Sequence, residues 1–255
     1  MISEKAIIEE GAKIGKNVTI GPNVYISKDA IIGDNCVIMQ GAVIDGKTII
    51  GEGTKIFYNS VIGSIPQDMK FSGEDVELII GKNNVIREFC LFNPGTKGGG
   101  GKTVIGDNNF FMGYVHVAHD CIIGNNCILA NAATLAGHVE LGDNVVIGGM
   151  SPVHQFVKIG DFAMIAGASA VNQDIPPYCL AEGNRAVLRG LNIVGLRRKL
   201  GREVVDILKK AYKELFQSGK PLQETALSLY ENSNNDHIKN LAKFVLETKR
   251  GIPFR

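Results

Sequence analysis

The chain has no apolar run of the roughly 20 residues that a membrane-spanning helix needs. Met1 to Lys13 also lack the basic start and greasy stretch of a signal peptide, so no integral membrane segment is expected and the cytoplasm is the default location. Cysteine is scarce, five in 255 residues, and Cys36, Cys90, Cys121 and Cys127 share one position of a sequence repeat, which indicates compact core residues and neither a disulfide set nor a metal knuckle. Overall charge is nearly absent at +1, yet it is unevenly spread. Residues 185–255 carry 15 Lys or Arg against 7 Asp or Glu, and residues 1–184 carry 12 against 19. A basic C-terminal segment suits an acidic partner such as phosphate, nucleic acid or an acidic protein; a solvated helical face is the plainer reading.

What the chain has is rhythm. Ten isoleucines stand six residues apart from Ile8 to Ile62. The series returns at Ile80, Ile86 and Phe92, slips by one, and runs from Ile105 in steps of six to Val171. No helix has that period, and a strict six-residue apolar repeat is the mark of a parallel β-helix. Four places after each aliphatic stands a mostly small residue (Ala30, Cys36, Ala42, Thr54, Ser60, Cys121, Ala133) that can fill the inside of a corner. Glycine often follows the aliphatic directly (Gly15, Gly33, Gly51, Gly81, Gly124, Gly142), as expected where a chain turns at positive φ. Three hexads close one triangular coil, so residues 18 apart share a column at about 4.8 Å per step, the ordinary strand spacing.

The repeat ends near Val171, and Pro176 and Pro177 break the chain. Helical spacing follows at Val204, Val205, Ile207, Leu208, Ala211, Tyr212, Leu215 and Phe216, ended by Gly219 and Pro221, and again from Ile238 to Val245. The expected organisation is therefore mainly β: a left-handed parallel β-helix over residues 1–175 and a C-terminal α-helical domain over 176–255. Residues 63–79 and 97–102 interrupt the repeat and read as loops thrown out of the solenoid, where function commonly sits. The second, KGGGGK, is not a phosphate loop: that motif needs Gly at position 96, where Thr96 stands, and a helix after it.

Four of the five histidines, His116, His119, His138 and His154, fall within 39 residues. Intervals of 19 and 16 from His119 to His138 to His154 place these three near one edge on successive coils. Gly137 lies 18 after His119, so its backbone stands beside that ring. A histidine, an adjacent Asp120 and a glycine N–H offer a base, an orienting carboxylate and an oxyanion donor. Any one histidine alone reads better as a packed or surface ring; the four at column spacing favour function. Zinc is the competing reading, as in β-helix γ-class carbonic anhydrases, which resemble an H-x4-H pair with a third histidine far upstream. Here the pair is His116-x2-His119 and no histidine precedes it, so no metal is expected.

The segments HVAHDCIIGNNCILANAATLAGHVELGD, IGGMSPVHQFVKIG and QDIPPYCLAEGNRA resemble the UDP-N-acetylglucosamine O-acyltransferases that begin lipid A synthesis, and the resemblance spans essentially the whole chain. It implies a left-handed β-helix, a homotrimer with sites between subunits, and transfer of a 3-hydroxyacyl chain from acyl carrier protein to the sugar 3-position. No cofactor beyond the carrier's phosphopantetheine thioester and no nucleic-acid partner is implied. Carried over by residue, His119 matches the general base, Asp120 the residue that orients it and Gly137 the oxyanion donor. His116 and His138 match contacts to sugar and acyl group, Asp68 and Lys70 the loop reaching the substrates, His154 and Gln155 the nucleotide side. Asn192 and Arg198 match nucleotide and diphosphate contacts, and Arg197 and Lys199 belong to the patch that receives the carrier protein. Gly149 and Gly167 lie in a column with Gly113 and Asn131, and Gly167 matches the family's hydrocarbon ruler.

Two positions depart from the pattern. Val194 replaces a common acidic residue and Asn93-Pro94 a His-Arg pair, which leaves the 3-amino sugar, acylated to an amide, as the alternative substrate. The later N-acyltransferase of the same pathway resembles a longer chain with an extra N-terminal uridine-binding domain, whereas here the repeat begins by Ile8. A non-catalytic scaffold or antifreeze-like surface would give no reason to gather His119, Gly137 and His138 or to add a basic cap.

Overall fold

Residues 1–254 are described by a computed structural model; Arg255, the last residue of the expected helical domain, lies outside the described residues. The chain winds as a left-handed parallel β-helix, an exception to the right-handed rule for parallel crossovers. Three sheets form the walls of a triangular prism, two of eight strands and one of ten. The first sheet opens with Ile7–Ile8, the second with Lys13–Ile14 and the third with Thr19–Ile20. Most strands have only two residues because each hexad must also turn a corner. The isoleucine of each strand points inward, as Ile26, Ile44, Ile56 and Ile62 do with no exposure.

Register follows the 18-residue column, with Ile8 on Ile26 and Ile26 on Ile44. At the interruptions the partners become Ile62 with Phe92 and Phe92 with Val117, 30 and 25 residues apart. The extra chain leaves as two loops without disturbing the stack. Both are shorter than the sequence suggests, because Glu77–Ile80 and Lys102–Ile105 already pair as four-residue strands of the second sheet.

The glycines after the aliphatic have a different reason from the expected one. Gly15, Gly33, Gly51, Gly81, Gly124 and Gly142 do not have positive φ; that conformation falls two residues later, on Asn17, Asn35, Asn83, Asn126 and Asn144. Asparagine is the residue that tolerates it best after glycine. The glycines are required by close approach instead: a Cβ on Gly33 would lie 2.7 Å from Glu52 N and 2.9 Å from Ile50 O of the next coil. The small inward residues are also more than filler. Thr54 and Ser60 donate their hydroxyls to the carbonyls of Gly81 and Arg87, and the Cys121 thiol to that of Ala136, so corner carbonyls facing the core are answered.

The third sheet continues past the anticipated boundary at 175/176, through Cys179–Glu182 and the antiparallel Val187–Leu191. Three helices follow: α1 Ile193–Phe216, broken at Gly201, where φ is 84°; α2 Leu222–Asn232; and α3 Asp236–Glu247. Helix α2 escapes a sequence reading because it buries only Thr225 and Ala226. Buried Asp174 ties this cap to the prism, its Oδ2 accepting from Thr248 Oγ1 and from the N–H groups of Lys249 and Arg250.

Close approach and open corners predict opposite costs for the same change. Gly33→Ala forces backbone apart and should lower stability by about 1–3 kcal/mol. Gly167→Ala, whose Cβ would meet nothing nearer than Gly149 O at 3.5 Å, should leave it unchanged. Thermal unfolding of the two variants checks this.

Candidate active site

The corner from the first to the second sheet follows Val117, Leu135 and Val153 on successive coils. Its residues in left-handed conformation are Asp120 (φ 60°), His138 (61°) and Phe156 (65°). None is glycine, so each costs backbone strain and persists because the stacked coils hold it.

His119 Nδ1 lies 2.7 Å from Asp120 Oδ2. Asp120 is 5% exposed and held from three sides: Thr96 N–H donates to Oδ1 at 2.8 Å, the Thr96 hydroxyl donates to Oδ2 at 2.7 Å, and the Asp120 N–H donates to Thr103 Oγ1 at 2.8 Å. A carboxylate surrounded by donors accepts from Nδ1–H, which leaves the Nε2 lone pair of His119 free. That atom faces Gly137, where a Cβ would stand 2.6 Å from His119 Cε1 and 2.8 Å from Nε2. Only glycine fits beside the ring.

The Gly137 N–H has no acceptor among the described residues. At the corner between the second and third sheets the equivalent amides are answered by an Asx side chain one coil on: Asp107 N–H by Asn125, Asn125 by Asp143, Asp143 by Asp161. The histidine corner has no such ladder, and the Gly137 N–H stands without a protein acceptor among the described residues.

His138 stands across from His119, ring centroids 5.2 Å apart and planes perpendicular, and stacks on Phe156 at 4.4 Å. Its Nε2 is 3.7 Å from Asp120 Oδ2, beyond a hydrogen bond. His138, Phe156 and Asp120 border a cavity of about 500 Å³ that extends toward Lys158, Lys249 and Arg250. His116 precedes Val117 in the first sheet, its Nδ1 3.0 Å from Leu91 O. Burial pushes its pKa down, as does the nearby His119, while the Leu91 carbonyl opposes. His154 does not join the cluster. It is exposed, contacts the Gln155 carbonyl, and lines a separate pocket of about 430 Å³ with Ala136, Pro152, Val171 and Arg185.

The other expected residues are spread out. Asp68 caps the Lys70 N–H within its own loop, and neither shares a hydrogen bond or ion pair with the histidines of the same chain. Asn192 caps α1, accepting from Gly195 N–H and donating to Phe162 O. Arg197, Arg198 and Lys199 are exposed on α1 and form no ion pair among the described residues. Gly149 and Gly167 stack as the column requires.

Ligand atoms of His119, Asp120 and His138 lie within 4.8 Å of one another, a set whose composition a metal accepts. The direct His119–Asp120 hydrogen bond and the two Thr96 donors occupy that carboxylate, an arrangement suited to orienting a base. Thr96, Thr103, Gly99 and Phe156 were not visible as site residues in the sequence. For the loop a signal exists: with the 25-residue offset of Phe92 on Val117, the residue beneath Asp120 is Gly95, next to Thr96.

A parallel β-helix with a histidine–aspartate pair at one corner defines the class of hexapeptide-repeat transferases. Residues 29–64 and 102–137 match the bacterial transferase hexapeptide family, and residues 174–253 match domain 2 of UDP N-acetylglucosamine O-acyltransferase. The chain is 70% identical over 253 residues to the acyl-[acyl-carrier-protein]–UDP-N-acetylglucosamine O-acyltransferase of Sulfurimonas denitrificans, covering 99% of this chain and 97% of that one. It is 64% identical over 254 residues to the Aliarcobacter butzleri protein of the same name, with 99% and 98% covered. The solved structure of UDP-N-acetylglucosamine acyltransferase from Campylobacter jejuni superposes with a TM-score of 0.96 at 54% identity, both chains fully covered. The chain belongs to the acyl-[acyl-carrier-protein]–UDP-N-acetylglucosamine O-acyltransferase family.

The His116 environment predicts acid sensitivity. Its pKa is lowered in the folded state from an ordinary 6.5, so below about 6.5 the unfolded chain binds the extra proton first and stability falls with pH. Urea unfolding between pH 7 and 5 should show a shallower loss for His116→Asn than for the unaltered chain.

Proposed function

We propose that this chain transfers a 3-hydroxyacyl group from acyl carrier protein to the 3-oxygen of UDP-N-acetylglucosamine, the first step of lipid A synthesis, with His119 as general base. One observation carries the reading: Asp120 holds Nδ1 of His119, and Nε2 stands beside the backbone of Gly137, whose N–H is unanswered.

The chemistry follows from that geometry. His119 Nε2 takes the proton of the sugar hydroxyl as its oxygen attacks the thioester carbonyl. Charge develops on the carbonyl oxygen, where the Gly137 N–H donates. The intermediate collapses, the carbon–sulfur bond breaks, and the proton passes from Nε2 to the departing phosphopantetheine sulfur. The ester forms with no acyl-enzyme and no cofactor beyond the donor's own thioester. Relatives named as O-acyltransferases favour the oxygen acceptor over the 3-amino analogue.

The reading extends to assembly and location. A homotrimer is supported by the separation of Asp68 and Lys70 from the histidines of the same chain, and by apolar side chains exposed on the prism, Ile65, Met69, Phe89, Tyr114 and Met150. Clefts between prisms would bring the loop of one copy to the corner of the next, with His154 and Gln155 on the nucleotide side and Asn192 near it. Arg198 would meet the diphosphate, and Arg197 and Lys199 the acidic carrier protein. Among the described residues no helix is long and apolar enough to cross a membrane, and a carrier-protein donor suits the cytoplasm.

His119→Ala should remain folded with turnover reduced about 10²- to 10⁴-fold, the usual cost of losing a general base. Mass spectrometry of products from purified acyl carrier protein and UDP-N-acetylglucosamine measures it, and near-normal turnover would reject the base assignment.

Gly167 stands next to Gly149 in one column, and a Cβ on Gly167 meets no backbone closer than Gly149 O at 3.5 Å. Gly167→Met should therefore fold normally and lie across the acyl path. Preference should move toward shorter 3-hydroxyacyl donors by about one to two decades, the rate equivalent of overpacking a groove. An unchanged donor profile would place the ruler elsewhere.

A further inference from the structure

The glycine loop rejected as a phosphate cradle is built around a carboxylate of the protein itself. Residues Thr96 to Gly101 form one tight turn: Gly99 and Gly101 both donate N–H to Thr96 O, Lys97–Gly99 make a 3-10 turn, and Gly100 and Gly101 have φ of 100° and 81°. Gly99 packs so closely on Asp120 that a Cβ there would fall within the carboxylate group. Thr96, 6% exposed, gives that carboxylate two donors, the backbone N–H to Oδ1 and the hydroxyl to Oδ2. The hydroxyl thus shares Oδ2 with His119 Nδ1, each at 2.7 Å.

We propose that Thr96 is a positioning residue for the reaction: through Asp120 it fixes His119 in the tautomer with the proton on Nδ1 and the lone pair on Nε2. This rests on His119 being the general base. Three elements converge on one acid, Thr96 from the loop, Thr103 from the second sheet and His119 from the corner, and each occupies a different atom or lone pair. The Thr103 contact fixes the Asp120 backbone, and the Thr96 contacts fix the plane of the carboxylate. Without the hydroxyl, one lone pair of a buried oxygen is unanswered, and the carboxylate gains freedom to rotate away from Nδ1. Proper tautomer and orientation are what an aspartate beside a catalytic histidine supplies.

The test compares Thr96→Val, which keeps the shape and loses the donor, with Thr96→Ser, which keeps the donor. Thr96→Val should lose about ten- to a hundredfold in kcat with KM for both substrates within about twofold, and Thr96→Ser should regain most of it. Nitrogen-15 spectra of the His119 ring should show a protonated Nδ1 and bare Nε2 in the unaltered protein and in Thr96→Ser, and a mixed population in Thr96→Val. In an Asp120→Asn background Thr96→Val should cost less than about twofold more, because a residue acting through Asp120 has nothing left to act on. Additive losses, unchanged kcat in Thr96→Val, or an unaltered protein with its proton on Nε2 would each overturn the proposal; the last needs no variant and decides even if Thr96→Val does not fold. An inactive His119→Ala beside a fully active Thr96→Val rejects the Thr96 role alone, whereas an active His119→Ala removes the base on which it rests.

Discussion

Every part of this protein depends on the stacking of one coil on the next at strand spacing. Strand amides bond the coils on both sides, Ile7 N–H forward to Val24 O and Ile20 N–H back to Met1 O, so a residue's neighbours in space are set by its column rather than by its nearby sequence. Two features of the corners enforce this. Glycine lets backbone meet backbone where the strand ends, and an asparagine two residues later takes the left-handed turn. The aliphatic series supplies the buried area, but without those corners the hexads would not close into a prism.

The site exploits a corner where that pattern is altered. Aspartate, histidine and phenylalanine take the left-handed positions that Asn108, Asn126 and Asn144 hold along the neighbouring edge, and the Asx ladder that caps amides there is missing. Both changes weaken the corner as a structural element. The two donors of Thr96 and the stacking of Phe156 on His138 restore part of what is lost while leaving Gly137 N–H and His119 Nε2 free. Local rules of corner building give way at this edge, where function is expected to sit.

Column arithmetic made much of this legible in sequence. The prism, its axis, the pairing of His119 with Gly137 and the meeting of His119 with His138 all follow from counting 18. The method was less sure where counting does not fix direction. His154, placed near the same edge, lies round the corner from His138 because two residues of offset in a turn move a side chain to another wall. The glycines were assigned to positive φ because composition does not distinguish torsion from close approach. Thr96 is hidden for a different reason: the inserted loop shifts the column by seven, so counting 18 back from Asp120 misses the residue beneath it.

The helical cap joins the prism in two ways. Leu196, Val205 and Leu241 continue the apolar core of the coils, and polar ties run from Asp174 to Thr248 and two backbone amides and from Asn240 to Asp161 and Tyr178. Hydrogen bonds of that kind fix direction more strictly than apolar packing does. Asn192, bonded to Phe162 O and to Gly195 N–H, sets the start of α1 with Leu196 buried and Arg197, Arg198 and Lys199 outward. The charge asymmetry visible in composition becomes a directed basic surface for this reason. The prism supplies the histidine corner, and the cap supplies a positive face that the acidic prism lacks.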